Sequence, residues 1–150
     1  MRVRDSHHII ENNLIIEMLY SGTWQGRTER RYTWYAAFEV TDINNVTLTG
    51  NHIAGSERAG FWVDGEICGD GASQWSENVA HSTLEGVMSI PPDGFPDCVL
   101  YNGFRTWRNL DWGLFSIVAG SIEIEDFISI EDTVGIYPFV PIERIDTFDL

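Results

Sequence analysis

The residues able to carry chemistry are few and scattered. Asp64, Glu66, Asp70 and Asp93 are carboxylates of the kind that pair for glycoside cleavage or hold calcium. Acids number 23 in 150 residues, so chance proximity is expected. Asp70-Gly71 and Asp93-Gly94 also read better as turns, so no catalytic residue is assigned. His81 follows Asn78 by three, and a coiled chain would bring it near Asp64 and Glu66 as an acid–base pair. A bend histidine bonded to backbone is the preferred reading. His7 and His8 carry no signal. Cys68 and Cys98 are the only cysteines, and they are either a disulfide or two buried thiols. No Cys-x-x-Cys or His-x-x-x-His spacing exists, so no metal and no cofactor are expected. Arginine is scarce enough that Arg58 and Arg105 stand out as anchors for an anionic sugar carboxylate. Arg58 could equally tie a bend to Glu57 or Asp64.

The charge balance narrows the partners. Lys plus Arg is 9 against 23 acids, a net charge of −14, which repels nucleic acid and anionic lipid heads. No apolar run approaches the length needed to cross a bilayer, so no membrane insertion is expected. The first residues, Met1 to His8, contain no apolar stretch and no cleavage pattern, so no export signal is expected in the chain as it stands.

The elements that would position these residues are strands. Ala37-Phe38-Glu39-Val40, Val46-Thr47-Leu48-Thr49, Gly60-Phe61-Trp62-Val63 and Ile122-Glu123-Ile124-Glu125 are short, β-branched or aromatic, and bounded by Gly, Asn and Asp. Neither tight hairpin turns nor helical crossovers join them. A small residue followed by apolar-x-apolar recurs at Ala37, Gly60, Gly86, Gly113 and Gly135, at steps of 23, 26, 27 and 22. A polar marker precedes each strand: Asn51, Asn78, Asn109 and Asp126. The interval from Asn109 to Gly113 is only four, against eight or nine elsewhere, and reads as a contracted coil. This period predicts an all-β parallel β-helix of about five coils. The four polar residues are expected to form a ladder, adopting left-handed geometry at one bend and bonding the coils above and below.

Several stretches carry a family resemblance. They include Asn13-Leu14-Ile15, Gly22-Thr23-Trp24, the run from Ala54 to Phe61, Val63-Asp64-Gly65-Glu66-Ile67-Cys68, the run from Trp75 to Ser82, Gly94-Phe95-Pro96-Asp97-Cys98, and Gly103-Phe104 with Asn109-Leu110-Asp111-Trp112-Gly113. In this order they resemble the β-helix region of the fibrocystins, which is related to that of the cell-migration-inducing hyaluronan-binding protein and transmembrane protein 2. The resemblance implies a right-handed solenoid inside a large extracellular region of a membrane-anchored surface protein, ciliary in some members. Residues 1–150 are then a single β-helix segment of a larger protein. It implies a bridge between Cys68 and Cys98, worth about 3–4 kcal/mol. Asp132 stands where the family has Asn, which is expected to weaken the last polar ladder.

Alternation places one more set of residues. If Phe38, Val40, Phe61, Val63, Val87, Leu114 and Ile136 face inward, then Glu39, Trp62, Met88, Phe115 and Tyr137 stack outward, one per coil. With Arg58 and Arg105, the aromatic members Trp62, Phe115 and Tyr137 are the candidate ligand-binding residues, facing a polysaccharide or a protein. The long loops near the cysteines are expected to cover this stripe. Asn45-Val46-Thr47 is the sole glycosylation sequon. The expected function is a non-catalytic extracellular module for adhesion, surface coat or ligand binding. The alternative is a carbohydrate-active protein of hyaluronan or pectin type.

Overall fold

A computed structural model describes residues 2–4 (backbone only), 8–18, 36–41, 45–69, 71, 74–90, 98–118 and 120–139. The chain runs through strand after strand in short circuits. It begins with β1 (Arg2–Arg4), then β2 (Ile9–Glu11), β3 (Leu14–Ile16) and β4 (Ala36–Thr41). The next circuit is β5 (Thr47–Thr49), β6 (His52–Ala54) and β7 (Ala59–Val63). Then come β8 (Glu66–Ile67), β9 (Gln74–Ser76), β10 (Asn78–His81) and β11 (Glu85–Ser89). The last two circuits are β12 (Cys98–Asn102), β13 (Phe104–Trp107) and β14 (Trp112–Ile117), and β15 (Ser121–Glu125), β16 (Ile128–Ile130) and β17 (Val134–Phe139).

Corresponding strands stack into three faces of a β-solenoid. The first face is β1-β4-β7-β11-β14-β17 and the second is β3-β6-β10-β13-β16, every pair parallel. The third face is broken into β2-β5-β9 and β8-β12-β15, with β8 antiparallel to β12. The solenoid makes about three turns, slightly fewer than the five coils expected, and the third face is continuous for only three strands at a time.

The small-residue marker has a steric cause. Ala37, Gly60, Gly86, Gly113 and Gly135 fall in one column of the first face. A Cβ on Gly60 would lie 2.8 Å from the Gly86 carbonyl oxygen, on Gly86 2.7 Å from that of Gly113, and on Gly113 2.6 Å from that of Gly135. The obstacle is backbone of the next coil, which cannot swing aside. Immediately after this column comes the core row of Phe38, Phe61, Val87 and Leu114, all fully buried. Ile136 continues the row but is half-exposed, since no described strand lies beyond β17. Phe61 meets Phe38 at 5.9 Å and Phe104 edge-on at 5.4 Å between ring centroids.

Two columns of left-handed residues make the corners. Asn12, Gly50, Glu77, Gly103 and Asp126 lead into the second face, and Glu17, Gly55, Ser82, Arg108 and Glu131 lead out of it, with φ between 44° and 73°. At seven of these ten residues the backbone N–H bonds a carbonyl of the neighbouring coil, as in Gly50 to Ser76 and Ser82 to Trp107. This tie between coils holds non-glycine residues in a conformation they otherwise avoid.

The polar ladder is therefore two ladders. Asn13, Asn51 and Asn78 each follow a residue of the first corner column. The Asn13 side-chain N–H donates to Asn51 Oδ1 at 2.8 Å, and that of Asn51 to Asn78 Oδ1 at 3.0 Å. The left-handed geometry expected of Asn51, Asn78 and Asn109 belongs instead to the residue before each. Asp126 also falls outside the ladder: it sits in the corner column, and buried Phe104 and half-buried Phe127 take the next ladder positions. Asn109 follows the second corner. The short interval to Gly113 is thus no contraction; Phe104, nine residues before Gly113, is the true counterpart of Asn51.

The second ladder ends on Asp132, and the acid strengthens it. Asp132 accepts from the Asn109 N–H and side-chain amide, both at 2.9 Å, and from the Thr106 and Ser129 hydroxyls, both at 2.6 Å. Four donors converge on a charged acceptor, where an asparagine would turn an N–H₂ toward two of them. The expectation that Asp132 weakens the ladder is corrected on that ground.

Candidate binding surface

The first face carries the expected outward column. Glu39, Trp62, Met88, Phe115 and Tyr137 are mutual partners in register. Met88 is 1 % exposed and Tyr137 42 %, so the column is covered in its middle and opens toward β17. Trp112 joins at the open end, stacked on Phe115 at 4.7 Å, while Phe115 lies 5.8 Å from Tyr137 with planes 8° apart. Rings stacked along the solenoid axis turn their faces to each other. What they offer outward is mainly ring edge.

The second face carries a ladder that the sequence reading missed. His81 stacks on Trp107 at 4.5 Å and 8°, and His52 meets both edge-on at 5.2 and 5.9 Å. Leu14 (63 % exposed), Ile16 (60 %), Ile128 and Ile130 extend the same outer surface at its two ends. The available signal was the corner column: His81 and Trp107 each directly precede a left-handed residue, Ser82 and Arg108.

His81 therefore faces His52, Trp107 and the Ser82 hydroxyl (3.1 Å), and the expected approach to Asp64 and Glu66 does not occur. It points out of the second face, whereas those acids flank Gly65 near the third. Desolvation, then the neighbouring His52, holds the His81 pKa below the ordinary 6.5.

The two arginines part company. Arg58 sits at the bend before β7, and its charge acts on Glu85. Glu85 is buried, and desolvation pushes its pKa up to about 7, with Arg58 opposing and Asp111 adding to the rise. Arg105 is exposed on β13 between Val79 and Ile128, on the same outer surface as Trp107. The structure thus brings Trp112, Phe115 and Tyr137 together on one face and Arg105, Trp107 and His81 on another. Trp62 lies on the first face and Arg105 on the second.

Cys68 and Cys98 form a disulfide, with Cα atoms 5.5 Å apart, closing β8 onto β12. The Glu123 carboxylate lies within 4.8 Å of both sulfurs, which the bridge removes as metal donors. Asp64 and Glu66 are buried. Asp70, Asp93 and His7 lie outside the described residues. Inside the solenoid the Tyr101 hydroxyl meets the Ser89 and Ser116 hydroxyls, both at 2.7 Å, and burial lifts its pKa to about 12. Asn45 is exposed, with φ 59°, just before β5. Among the described residues no helix is long and apolar enough to cross a membrane.

Comparison with known proteins agrees with this coil plan. The chain is 32 % identical over 136 residues to fibrocystin of Canis lupus familiaris and 31 % identical over 144 residues to fibrocystin-L of Homo sapiens. These matches cover 91 % and 93 % of the chain. The chain is a fibrocystin-like β-solenoid. It spans about 3 % of the length of these curated relatives. No family model and no solved structure matches it. Neither fibrocystin name denotes an enzyme.

Proposed function

We propose that this fibrocystin-like solenoid is a non-catalytic extracellular module of a cell-surface protein, serving adhesion, coat or receptor roles through its outer faces. The observation that carries the reading is the Trp112–Phe115–Tyr137 cluster, an outward aromatic ladder whose end remains open. Because its rings turn toward each other, the ladder suits the apolar surface of a partner protein better than the flat face of a sugar ring. The bridge and the accessible Asn45 sequon suit an oxidising, glycosylating compartment. A second reading, polysaccharide binding or depolymerisation, rests on Arg105 beside Trp107.

The test is cell adhesion to surfaces coated with the chain, beside hyaluronan and pectin incubated with it in solution. Adhesion should fall when Phe115 and Tyr137 are changed to Ser, with both polymers keeping their size. Equal adhesion by the variant would remove the ladder from the function. Shortening of either polymer would promote the second reading.

A further inference from the structure

Glu66 is a buried acid that solenoid packing leaves unexplained. It lies on β8 opposite Leu100 of β12, and Leu100 lies opposite Glu123 of β15. One row along, Asn102 lies opposite Glu125. Val99 and Tyr101 point into the core, so alternation sends Leu100, Asn102 and their row partners Glu66, Glu123 and Glu125 to the outer side. Glu66 is nonetheless only 7 % exposed, and its Oε2 is sealed from solvent without a hydrogen-bond partner. Leaving a carboxylate oxygen dry and unpaired is costly, and native interiors rarely do so. The charge that acts on it is Glu125, of the same sign. Glu123, by contrast, leans toward the disulfide.

We propose that Glu66 and Glu125, with the Asn102 side-chain carbonyl between them, bind a divalent cation of the calcium class on the outer side of the third face. All three offer hard oxygen donors, which is the donor set calcium prefers. The cation would supply the missing partner of Glu66 and cancel its repulsion with Glu125. Glu66 is fixed from behind: β8 is paired to β12 and tethered by the Cys68–Cys98 bridge. Glu125 is exposed and gives the ion a way in. Calcium is favoured over magnesium because it accepts irregular geometry and sheds water readily.

The experiment titrates the oxidised chain with calcium at neutral pH, reading thermal unfolding and the luminescence of terbium, a calcium substitute excited through tryptophan. The unfolding temperature should rise with calcium, and terbium should be displaced by calcium with a dissociation constant in the range of about 10⁻⁴ to 10⁻³ M typical of extracellular sites. Glu66→Gln keeps the side-chain volume and removes only the charge; it and Glu125→Gln should each abolish both responses. Glu123→Gln should retain them. No calcium response in the unaltered chain, or a response that survives in both Glu66→Gln and Glu125→Gln, would overturn the site.

Discussion

Replacing Glu85 by Gln should stabilise the protein, and by an amount that depends on pH. Glu85 is 4 % exposed at the start of β11, and its carboxyl is pushed up to about 7 from 4.5. The folded state therefore holds the proton more tightly than the unfolded chain. As pH rises from 4.5 to 7 the unfolded chain releases its proton first, and stability falls; above 7 both states are ionised and the loss is constant. That pKa rise corresponds to about 3 kcal/mol at pH 8, about 1 at pH 5 and almost nothing at pH 4. Gln has no proton to lose, so the gain from Glu85→Gln should follow the same curve. The opposing charge of Arg58 is already contained in the value of about 7. Urea denaturation of both proteins at pH 4, 6 and 8, followed by tryptophan fluorescence, measures the difference. A difference that does not change with pH, or a variant less stable at pH 8, would show that Glu85 is not held protonated by burial.

Four further expectations follow from the stack. Gly86→Ala should cost at least about 1–3 kcal/mol by calorimetry, because its Cβ would meet the Gly113 carbonyl at 2.7 Å. Asp132→Asn should cost about 1–3 kcal/mol, since two hydroxyls lose a charged acceptor, whereas the same change at Asp126 should cost little. Reducing Cys68–Cys98, or replacing both with Ser, should lower stability by about 2–5 kcal/mol, read from the denaturant midpoint. For His81 the folded pKa lies below 6.5, so its contribution is intact above that pH and is lost as pH falls toward the folded value; histidine NMR titration should show the depressed value, and Trp107→Leu should move it.

What could be read from sequence was what one coil repeats in the next. The glycine column was legible because a fixed steric demand recurs at every crossing of the first face, and the outward row of Glu39, Trp62, Met88, Phe115 and Tyr137 follows from it by alternation. The polar ladder was half legible. Asn51 and Asn109 are the same residue type at different corners, and residue type alone does not say which corner. The left-handed positions that tell them apart are held by Gly, Asn, Asp, Glu, Ser and Arg alike, since the bond to the next coil overrides intrinsic preference. Glu66 was legible only as one of four acids that could hold calcium, a reading set aside there, and Glu85 and the His81–Trp107 stack were not legible as sites. Their character comes from burial and from neighbours one or more coils away in sequence, set by coil lengths that vary.

Stacking also decides what kind of surface such a chain presents. Each coil adds one residue to each outer column about 4.8 Å from the last, so like side chains meet like. Aromatic columns close face to face and amide columns bond end to end, and both kinds of contact are spent between coils. What is left for a partner is the line of ring edges, the exposed ends where Tyr137 and Leu14 have no described neighbour on one side, and isolated charges such as Arg105 that interrupt an apolar row. The third face escapes this rule. There β8 runs against the stack, Gly65 takes φ 97° with Val99 pressed where a Cβ would be, and the register breaks. Glu66 lies beside unlike neighbours where the repeat fails. That is why the cation site is placed there, and the partner surface on the regular faces.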